Sequence, residues 1–232
     1  MTYKYIYFDL DDTLLDHRGA EKAALQDLIN QLDYFSSITH QELTETYHRI
    51  NSKLWTRYGK GDIDRSYLQR SRFEQTLNEL GLDGSLYEEV GNFYMEAYRN
   101  HWNWIAGAAE TLQKASKKFD VGILTNGFAE TQKQKISQFS LADVASNLVI
   151  SEEVAFLKPQ PEIFKHATAL TRKKPQEILY IGDSYTSDVI GGASFGWNVA
   201  WYTNGDDVSE ERKKDAYFTF NKFSDLCSLL KL

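Results

Sequence analysis

Two carboxylates one residue apart, Asp9 and Asp11, directly follow an apolar run from Tyr3 to Phe8, within the segment Asp9-Leu10-Asp11-Asp12-Thr13. The run reads as a buried strand, so both acids are delivered to a strand end. Side chains alternate along a strand, so Asp9 and Asp11 share a face if the strand continues and stay neighbours if the chain turns. Like charges held ~4 Å apart repel by about 4 kcal/mol at an effective dielectric of ~20, so the arrangement calls for a cation, a proton, or both.

Short apolar runs recur at Val121 to Leu124, Leu148 to Ile150, Ile178 to Ile181, Val199 to Tyr202 and Tyr217 to Phe220. Helix-like stretches lie between them, with Leu112, Ala115 and Phe119 on one face, and Ile163, Phe164, Ala167 and Leu170 on another after Pro161. Strands alternating with helices predict an α/β fold, a parallel sheet covered on both sides. Residues 17–103 differ: charged, helical in period and without a convincing strand run. They predict an inserted helical unit, residues 17–103, within an α/β core made of residues 1–16 and 104–232. Gly19 and the Trp102 to Gly107 segment are its expected edges; Tyr58 to Asp62 and Gly81 to Gly84 are expected internal turns.

A chain of 232 residues, 42% hydrophobic, can bury a core of this kind without staples. The single cysteine, Cys227, is expected to be a small buried hydrophobe in a reducing compartment. The chain carries no signal-peptide-like apolar stretch and no run of membrane-spanning length, so the expected location is the cytoplasm, with no membrane partner. A net charge of −7 argues against a nucleic-acid polymer as partner and leaves room for a local phosphate pocket.

In an open parallel sheet, ligands bind beyond the carboxyl ends of the strands, so the residues just after each apolar run carry most weight. Asp9 and Asp11 come after the first run, Thr125-Asn126-Gly127 after the second, Lys158-Pro159 in the loop after the third, and Gly182-Asp183-Ser184 after the fourth. Singly, each has an ordinary reading. Asp11, Asp12 or Thr13 can cap a helix, Thr-Asn-Gly is turn chemistry, a lysine before proline is commonly solvated, and Asp183 can open a turn into a helix capped by Ser187. Their joint occurrence, in this order at these strand ends, is what the ordinary readings do not produce.

Together these residues resemble the haloacid dehalogenase-like superfamily of phosphohydrolases. Its Asp-x-Asp-x-Thr motif matches Asp9 to Thr13, its strand-end Ser or Thr matches Thr125, its lysine Lys158, and its Gly-Asp with a later acid Gly182-Asp183 and Asp188. The resemblance implies a doubly wound, Rossmann-like parallel-sheet core with residues 17–103 as a helical cap. It implies Asp9 as nucleophile forming an aspartyl-phosphate, Asp11 as acid and then base, Thr125 and the Asn126 backbone on the phosphoryl oxygens, and Lys158 balancing charge on Asp9 and the phosphate. Asp9, the Asp11 backbone carbonyl and Asp183 would hold a metal, with Asp188 in the outer shell. Hard oxygen ligands make that metal Mg2+, and His17 is given no role. Asp12 stands where many members have glycine, and Ala106 where proline is frequent. The acid at Asp11 favours a phosphatase over the dehalogenase branch, because an alkoxide leaving group needs a proton.

The family's cap sets substrate choice, and here it carries Arg49, Lys53, Trp55, Arg57 and Tyr58, a mix suited to stacking a base and steering a phosphate as well as to ordinary helix faces. Trp55-x-x-Tyr58, Gly61-Asp62-Ile63, Thr125-Asn126-Gly127-Phe128 and Val149 to Val154 are similar to a bacterial subgroup of pyrimidine 5′-nucleotidases. The expected function is therefore a magnesium-dependent 5′-nucleotidase acting on a small phosphorylated metabolite. A sugar-phosphate or phosphoglycolate phosphatase, a phosphomutase of the same family and a non-catalytic phosphoacceptor module are the alternatives. Trp102, Trp104 and Trp201 either mark an interface or fill the core, so the expected assembly is a monomer or homodimer.

Overall fold

The computed structural model describes residues 3–232. The chain forms two compact units: the segment ending at Asp16 with Trp104–Leu232, and His17–Asn103. The first unit opens with β1 (Tyr5–Phe8). The helical unit comes next, with α1 (His17–Gln31), α2 (His40–Gly59), α3 (Arg65–Glu79) and α4 (Tyr87–Asn100). The chain then returns to the first unit with α5 (Ala108–Ser116), β2 (Asp120–Thr125), α6 (Ala129–Gln138), β3 (Asn147–Ile150), α7 (Ser151–Val154) and α8 (Pro161–Thr171). It ends with β4 (Ile178–Gly182), α9 (Gly191–Phe195), β5 (Asn198–Tyr202), α10 (Glu210–Lys213), β6 (Phe218–Phe220) and α11 (Phe223–Leu230).

Among the described residues six strands form one sheet, ordered β3-β2-β1-β4-β5-β6, with every pair parallel. This is the doubly wound order, and the direction of winding reverses between β1 and β4. Phe8 stands opposite Ile123 on one side and Ile181 on the other, so the chain leaves β1, β2 and β4 at nearly the same height.

Strand alternation gives the sheet two apolar faces. Ile6, Phe8, Ile123, Leu179 and Ile181 pack with Leu112 of α5 and Phe223 and Leu226 of α11. Tyr5, Tyr7, Leu124, Tyr180 and Val199 pack with Ile163, Phe164 and Ala167 of α8. Burying each large apolar side chain stabilises the fold by roughly 1.5–3 kcal/mol, which is why the strands read as near-continuous apolar runs. Tyr7 stacks on Trp197 with ring centroids 5.3 Å apart and satisfies its hydroxyl on the Ala167 carbonyl at 2.9 Å.

The helical unit is built from capped helices around an aromatic interior. Thr39 and Glu42 form a reciprocal capping box at the start of α2, and Asp64 accepts from the Tyr67 N–H at the start of α3. Tyr47, Phe73 and Tyr94 meet inside with centroids 5.2–5.4 Å apart. Of the cationic residues singled out on α2, Arg49 pairs with Glu79, and Arg57 lies over the Tyr67 ring at 5.6 Å. No helix among the described residues is long and apolar enough to cross a membrane.

The strands occur at each apolar run, with differences elsewhere. Gly19 lies inside α1 and is no edge. α5 stops at Ser116, so Phe119 packs on the core from a turn. Leu170 is 44% exposed, because the buried stripe of α8 is centred on Ile163, Phe164, Ala167 and Thr171 and leaves it at the margin. Ser184, not Ser187, caps the turn of π-helix at Tyr185–Ile190; its hydroxyl accepts from the Ser187 N–H. Cys227 is half-buried beside the Thr111 hydroxyl. Trp102 and Trp201 are buried, and Trp104 packs against the core, so all three fill interior space.

Gly122 stands opposite Tyr7 in the ladder, and a Cβ there would come within 2.7 Å of the Tyr5 hydroxyl oxygen and 2.5 Å of the Tyr7 ring. Gly122→Ala is expected to lower unfolding free energy by roughly 1–3 kcal/mol through overpacking, measured as a fall in the urea midpoint at unchanged slope.

Candidate active site

β1 continues its ladder one residue past Phe8, with the Asp9 N–H donating to the Ile181 carbonyl at 2.8 Å, and then closes a tight loop. Leu14 and Leu15 both return their N–H groups to the Leu10 carbonyl, and Asp12 donates to the Leu15 carbonyl at 2.7 Å. Leu10, Leu14 and Leu15 are buried and anchor the loop from below. Asp12 has φ of 58°, the left-handed conformation that glycine and aspartate tolerate best, so the residue found in place of glycine meets the same backbone demand. Thr13 is fully buried, and its hydroxyl donates to Asp183 Oδ1 at 3.2 Å.

Lys158 is 5% exposed, and its ammonium donates to Asp9 Oδ1 at 2.7 Å, Asp188 Oδ1 at 2.8 Å and the Tyr180 hydroxyl at 2.7 Å. A lysine has three N–H donors, so this one is fully used. Its backbone is fixed as well. The Asn126 side chain donates to the Lys158 carbonyl at 3.0 Å and accepts from its N–H at 2.9 Å. Asp188 takes the Ser184 N–H on its second oxygen at 2.9 Å, and its carboxyl fills the space a Cβ at Gly182 would need. The Trp201 indole N–H holds the Asp183 carbonyl at 2.7 Å.

Carboxylate oxygens of Asp9, Asp183 and Asp188 lie within 4.8 Å of one another. Lys158 pairs directly with Asp9 and Asp188, so with all three acids ionised the group would carry an excess of two negative charges in a largely buried space. Burial, together with Asp188 and Asp11, pushes the Asp9 carboxyl up to about 7 against the pull of Lys158. Burial, with Asp188, Asp9 and Asp12 beside it, holds Asp183 well above the usual carboxylate range. Burial works to lower Lys158, yet Asp188 and Asp9 outweigh it and keep the ammonium firmly protonated. Hard oxygen donors in charge excess fit a divalent cation, and the chemistry of the set matches magnesium or calcium better than a thiophilic metal.

Asp11 is arranged differently. Its carboxylate is not in the three-acid group; Oδ1 accepts from Lys135 at 2.6 Å and Oδ2 from the Gln132 amide at 3.0 Å. The same amide nitrogen donates to the Thr125 hydroxyl at 2.6 Å, and Thr125 is 1% exposed at the end of β2. Asp9, Lys158, Asp183 and Asp188 thus converge directly, while Asp11 and Thr125 are joined through Gln132.

Sequence reasoning passed over Gln132, Lys135, Tyr180 and the side chain of Asn126, and it gave Thr13 only a motif position. Signals existed. Gln132 and Lys135 occupy inward positions of α6 where apolar residues are normal, and Ile136 alone is a buried apolar residue of that helix. Tyr180 places a hydroxyl within an otherwise aliphatic β4.

The family model for a haloacid dehalogenase-like hydrolase matches residues 3–196. The HAD-hydrolase YfnB of Bacillus subtilis is 31% identical over 202 residues, 86% of this chain and 83% of its own. The pyrimidine 5′-nucleotidase YjjG of Escherichia coli is 30% identical over 87% of this chain and 86% of its own, and the pyrimidine 5′-nucleotidase PynA of Streptococcus pneumoniae 29% over 87% and 84%. The crystal structure of YfnB bound to magnesium superposes with a TM-score of 0.86, covering all of both chains at 26% identity.

Asp183 binds its proton more tightly folded than unfolded. Its charge therefore costs nothing below the unfolded range, about pH 4, and stability is lost as pH rises through its elevated folded value. Asp183→Asn is accordingly expected to gain thermal stability relative to wild type as pH climbs from about 4 to 7 without divalent cations. Added magnesium should raise the wild-type melting temperature more at about pH 8 than at about pH 5, and far less in Asp183→Asn. A pH-independent difference between the two proteins in thermal melts would contradict the charge excess.

Proposed function

The chain belongs to the haloacid dehalogenase-like hydrolases, and from that premise we propose that it is a magnesium-dependent phosphomonoesterase cleaving pyrimidine nucleoside 5′-monophosphates. The observation that carries the chemistry is the buried Lys158 ammonium shared by Asp9 and Asp188, because it sets a fixed positive charge against one oxygen of a carboxylate at a strand end.

In the first step an Asp9 carboxylate oxygen attacks phosphorus, and the bond from phosphorus to the ester oxygen breaks. Asp11 gives its proton to that oxygen, so the products are a neutral alcohol and an aspartyl-phosphate on Asp9. In the second step water attacks the same phosphorus and passes a proton to Asp11. The bond from phosphorus to the Asp9 oxygen then breaks, releasing inorganic phosphate and restoring both acids. Thr125 and the Asn126 backbone N–H donate to phosphoryl oxygens, and Lys158 stabilises the charge that gathers beside Asp9.

Asp9, the Asp11 backbone carbonyl and Asp183 would hold magnesium, with Asp188 behind them committed to Lys158 and the Ser184 N–H. When bound, the ion offsets negative charge on the phosphoryl group and on the three acids. Because the leaving group is a poor alkoxide, the proton supplied by Asp11 is needed here, whereas carbon–halogen cleavage would not use it.

The choice of substrate rests on two supports. Two relatives of nearly the same length, about 30% identical, carry the name pyrimidine 5′-nucleotidase. The flanking segments Trp55-x-x-Tyr58, Gly61-Asp62-Ile63 and Val149 to Val154 resemble that subgroup. We assign His17–Asn103 the role of the substrate-selecting cap and the cytoplasm as the place of action.

Two measurements test the proposal. Phosphate release with magnesium is followed across pyrimidine and purine nucleoside monophosphates, sugar phosphates and phosphoglycolate; preference for pyrimidine monophosphates is expected, and preference for a sugar phosphate or phosphoglycolate would replace the substrate while keeping the mechanism. Asp9→Asn should lower kcat by at least about a thousand-fold with the fold intact by circular dichroism, and chelation should abolish turnover until magnesium is restored. Residual wild-type-like activity in Asp9→Asn would move the nucleophile elsewhere.

A further inference from the structure

We propose that Gln132 and Lys135 are positioning residues of this active site, which together fix the acid–base carboxylate of Asp11 and turn the Thr125 hydroxyl outward as a donor to the phosphoryl group. The inference rests on the roles assigned to Asp11 and Thr125 under the proposed function.

The two residues lie three apart on α6 and so share one face of the helix. They are 1% and 2% exposed. Lys135 holds Asp11 Oδ1 at 2.6 Å and Gln132 holds Oδ2 at 3.0 Å, so each oxygen of the carboxylate has its own donor and rotation of the group is resisted at both ends. The donors stand on a helix that comes directly after β2, which makes them a rigid support. A misplacement of about 1 Å in a reacting group can lower a rate by about a hundred-fold, so an orientation fixed this way has kinetic consequences.

The Gln132 amide nitrogen carries two hydrogens. One is directed at Asp11 and the other at Thr125 Oγ1 at 2.6 Å, with the Asn126 carbonyl a longer third contact at 3.3 Å. Since Thr125 accepts from Gln132, its own hydrogen must point elsewhere, and the acceptor within reach in the protein is the Asn126 carbonyl at 3.3 Å. A bond that long is weak, so a phosphoryl oxygen arriving at the strand end offers a better partner. Gly127 makes the arrangement possible: a Cβ at that position would sit 3.0–3.2 Å from Gln132 Cδ, Cγ and Nε2. The glycine of Thr125-Asn126-Gly127 therefore keeps space for the amide that organises the threonine.

A purely structural role for these side chains is the weaker account. A helix that only packed on the sheet would bury aliphatic residues here, since a buried ammonium is costly unless it is paired. The partner taken by Lys135 is the one acid of the site that stands outside the three-carboxylate group.

The test measures kcat and KM for wild type, Lys135→Met, Gln132→Ala and Asp11→Asn with the best alkyl monophosphate of the substrate panel and with p-nitrophenyl phosphate, whose leaving group needs little protonation. Lys135→Met is expected to lose about 10–100-fold in kcat on the alkyl ester, much less on the aryl ester, with KM little changed. Gln132→Ala, which also frees Thr125, should lose kcat on both. Adding Lys135→Met to Asp11→Asn should bring almost no further loss. Equal losses on the two esters in Lys135→Met, or full additivity with Asp11→Asn, would overturn the inference and leave Lys135 a structural residue. If Lys135→Met does not fold in a thermal melt, Gln132→Ala decides: it leaves the buried cation paired, and unchanged kcat on both esters would overturn the inference. Failure of the underlying reading looks different, because Asp11→Asn itself would then lack any dependence on the leaving group.

Discussion

The Lys158 ammonium is the interaction on which the rest of the site depends. Each of its three hydrogens meets a different partner, Asp9, Asp188 and Tyr180, and all four groups are buried. An unpaired buried ion costs several kcal/mol, so the loss of this one cation would strand two carboxylates at once. The partners come from the end of β1, from β4 and from the turn after β4, while Asn126 after β2 grips the Lys158 backbone. Such a convergence needs three adjacent parallel strands that end at the same height, which the register of β2, β1 and β4 supplies. The central position of β1 in the sheet serves the same convergence, since Asp9 at its end has a neighbouring strand on either side to deliver the groups that meet it.

Two charge balances stand side by side. Asp11, when ionised, is matched by Lys135, with both oxygens bonded. Asp9, Asp183 and Asp188, when all are ionised, are open by two negative charges against Lys158. The open group raises Asp9 and Asp183 because burial denies them water, and Thr13 and the Asp183 backbone contacts hold that strained set in place. A protein that keeps like charges together in its interior does so against its own stability, and functional sites are where such arrangements collect. The apolar faces of the sheet, built from Ile6, Phe8, Ile181 and the aromatic set around Tyr7 and Trp197, supply the surplus that tolerates it.

Much of this was legible in the sequence because strand-end chemistry in a parallel sheet is written locally. The apolar runs marked the strands, and the residue after each run marked a side chain at the common edge, so Asp9, Thr125, Lys158 and Asp183 could be gathered without coordinates. Asp12 departs from the glycine of the family pattern, and the structure places it in a left-handed turn that aspartate tolerates. What stayed hidden involved partners whose pairing depends on three-dimensional orientation. Tyr180 looked like one more apolar residue of a buried strand until its hydroxyl met Lys158 and Asp188. Gln132 and Lys135 were passed over because, although they stand where apolar residues are normal on α6, their partners Asp11 and Thr125 lie far away in sequence or are fixed only once the helix is docked. Leu170 failed in the opposite sense: its helical period was right, but the buried stripe of α8 is narrow and centred on other residues.

Every group assigned to bond cleavage, together with the side chains that orient it, lies in the unit formed by the segment ending at Asp16 and Trp104–Leu232. Those groups address a phosphoryl group, the oxygen that leaves it and the water that arrives. None of them has reason to distinguish a nucleoside from a sugar, because nothing in the chemistry reaches beyond the ester oxygen. Discrimination among phosphomonoesters must then be carried by residues the cleavage step does not use. On the proposed roles, this division accounts for strand-end motifs that point to a reaction and say little about the alcohol. By the same proposed roles the positioning pair on α6 belongs with the chemistry: Gln132 and Lys135 touch Asp11 and Thr125, the groups common to any ester cleaved, so their effect is independent of the shape of the alcohol.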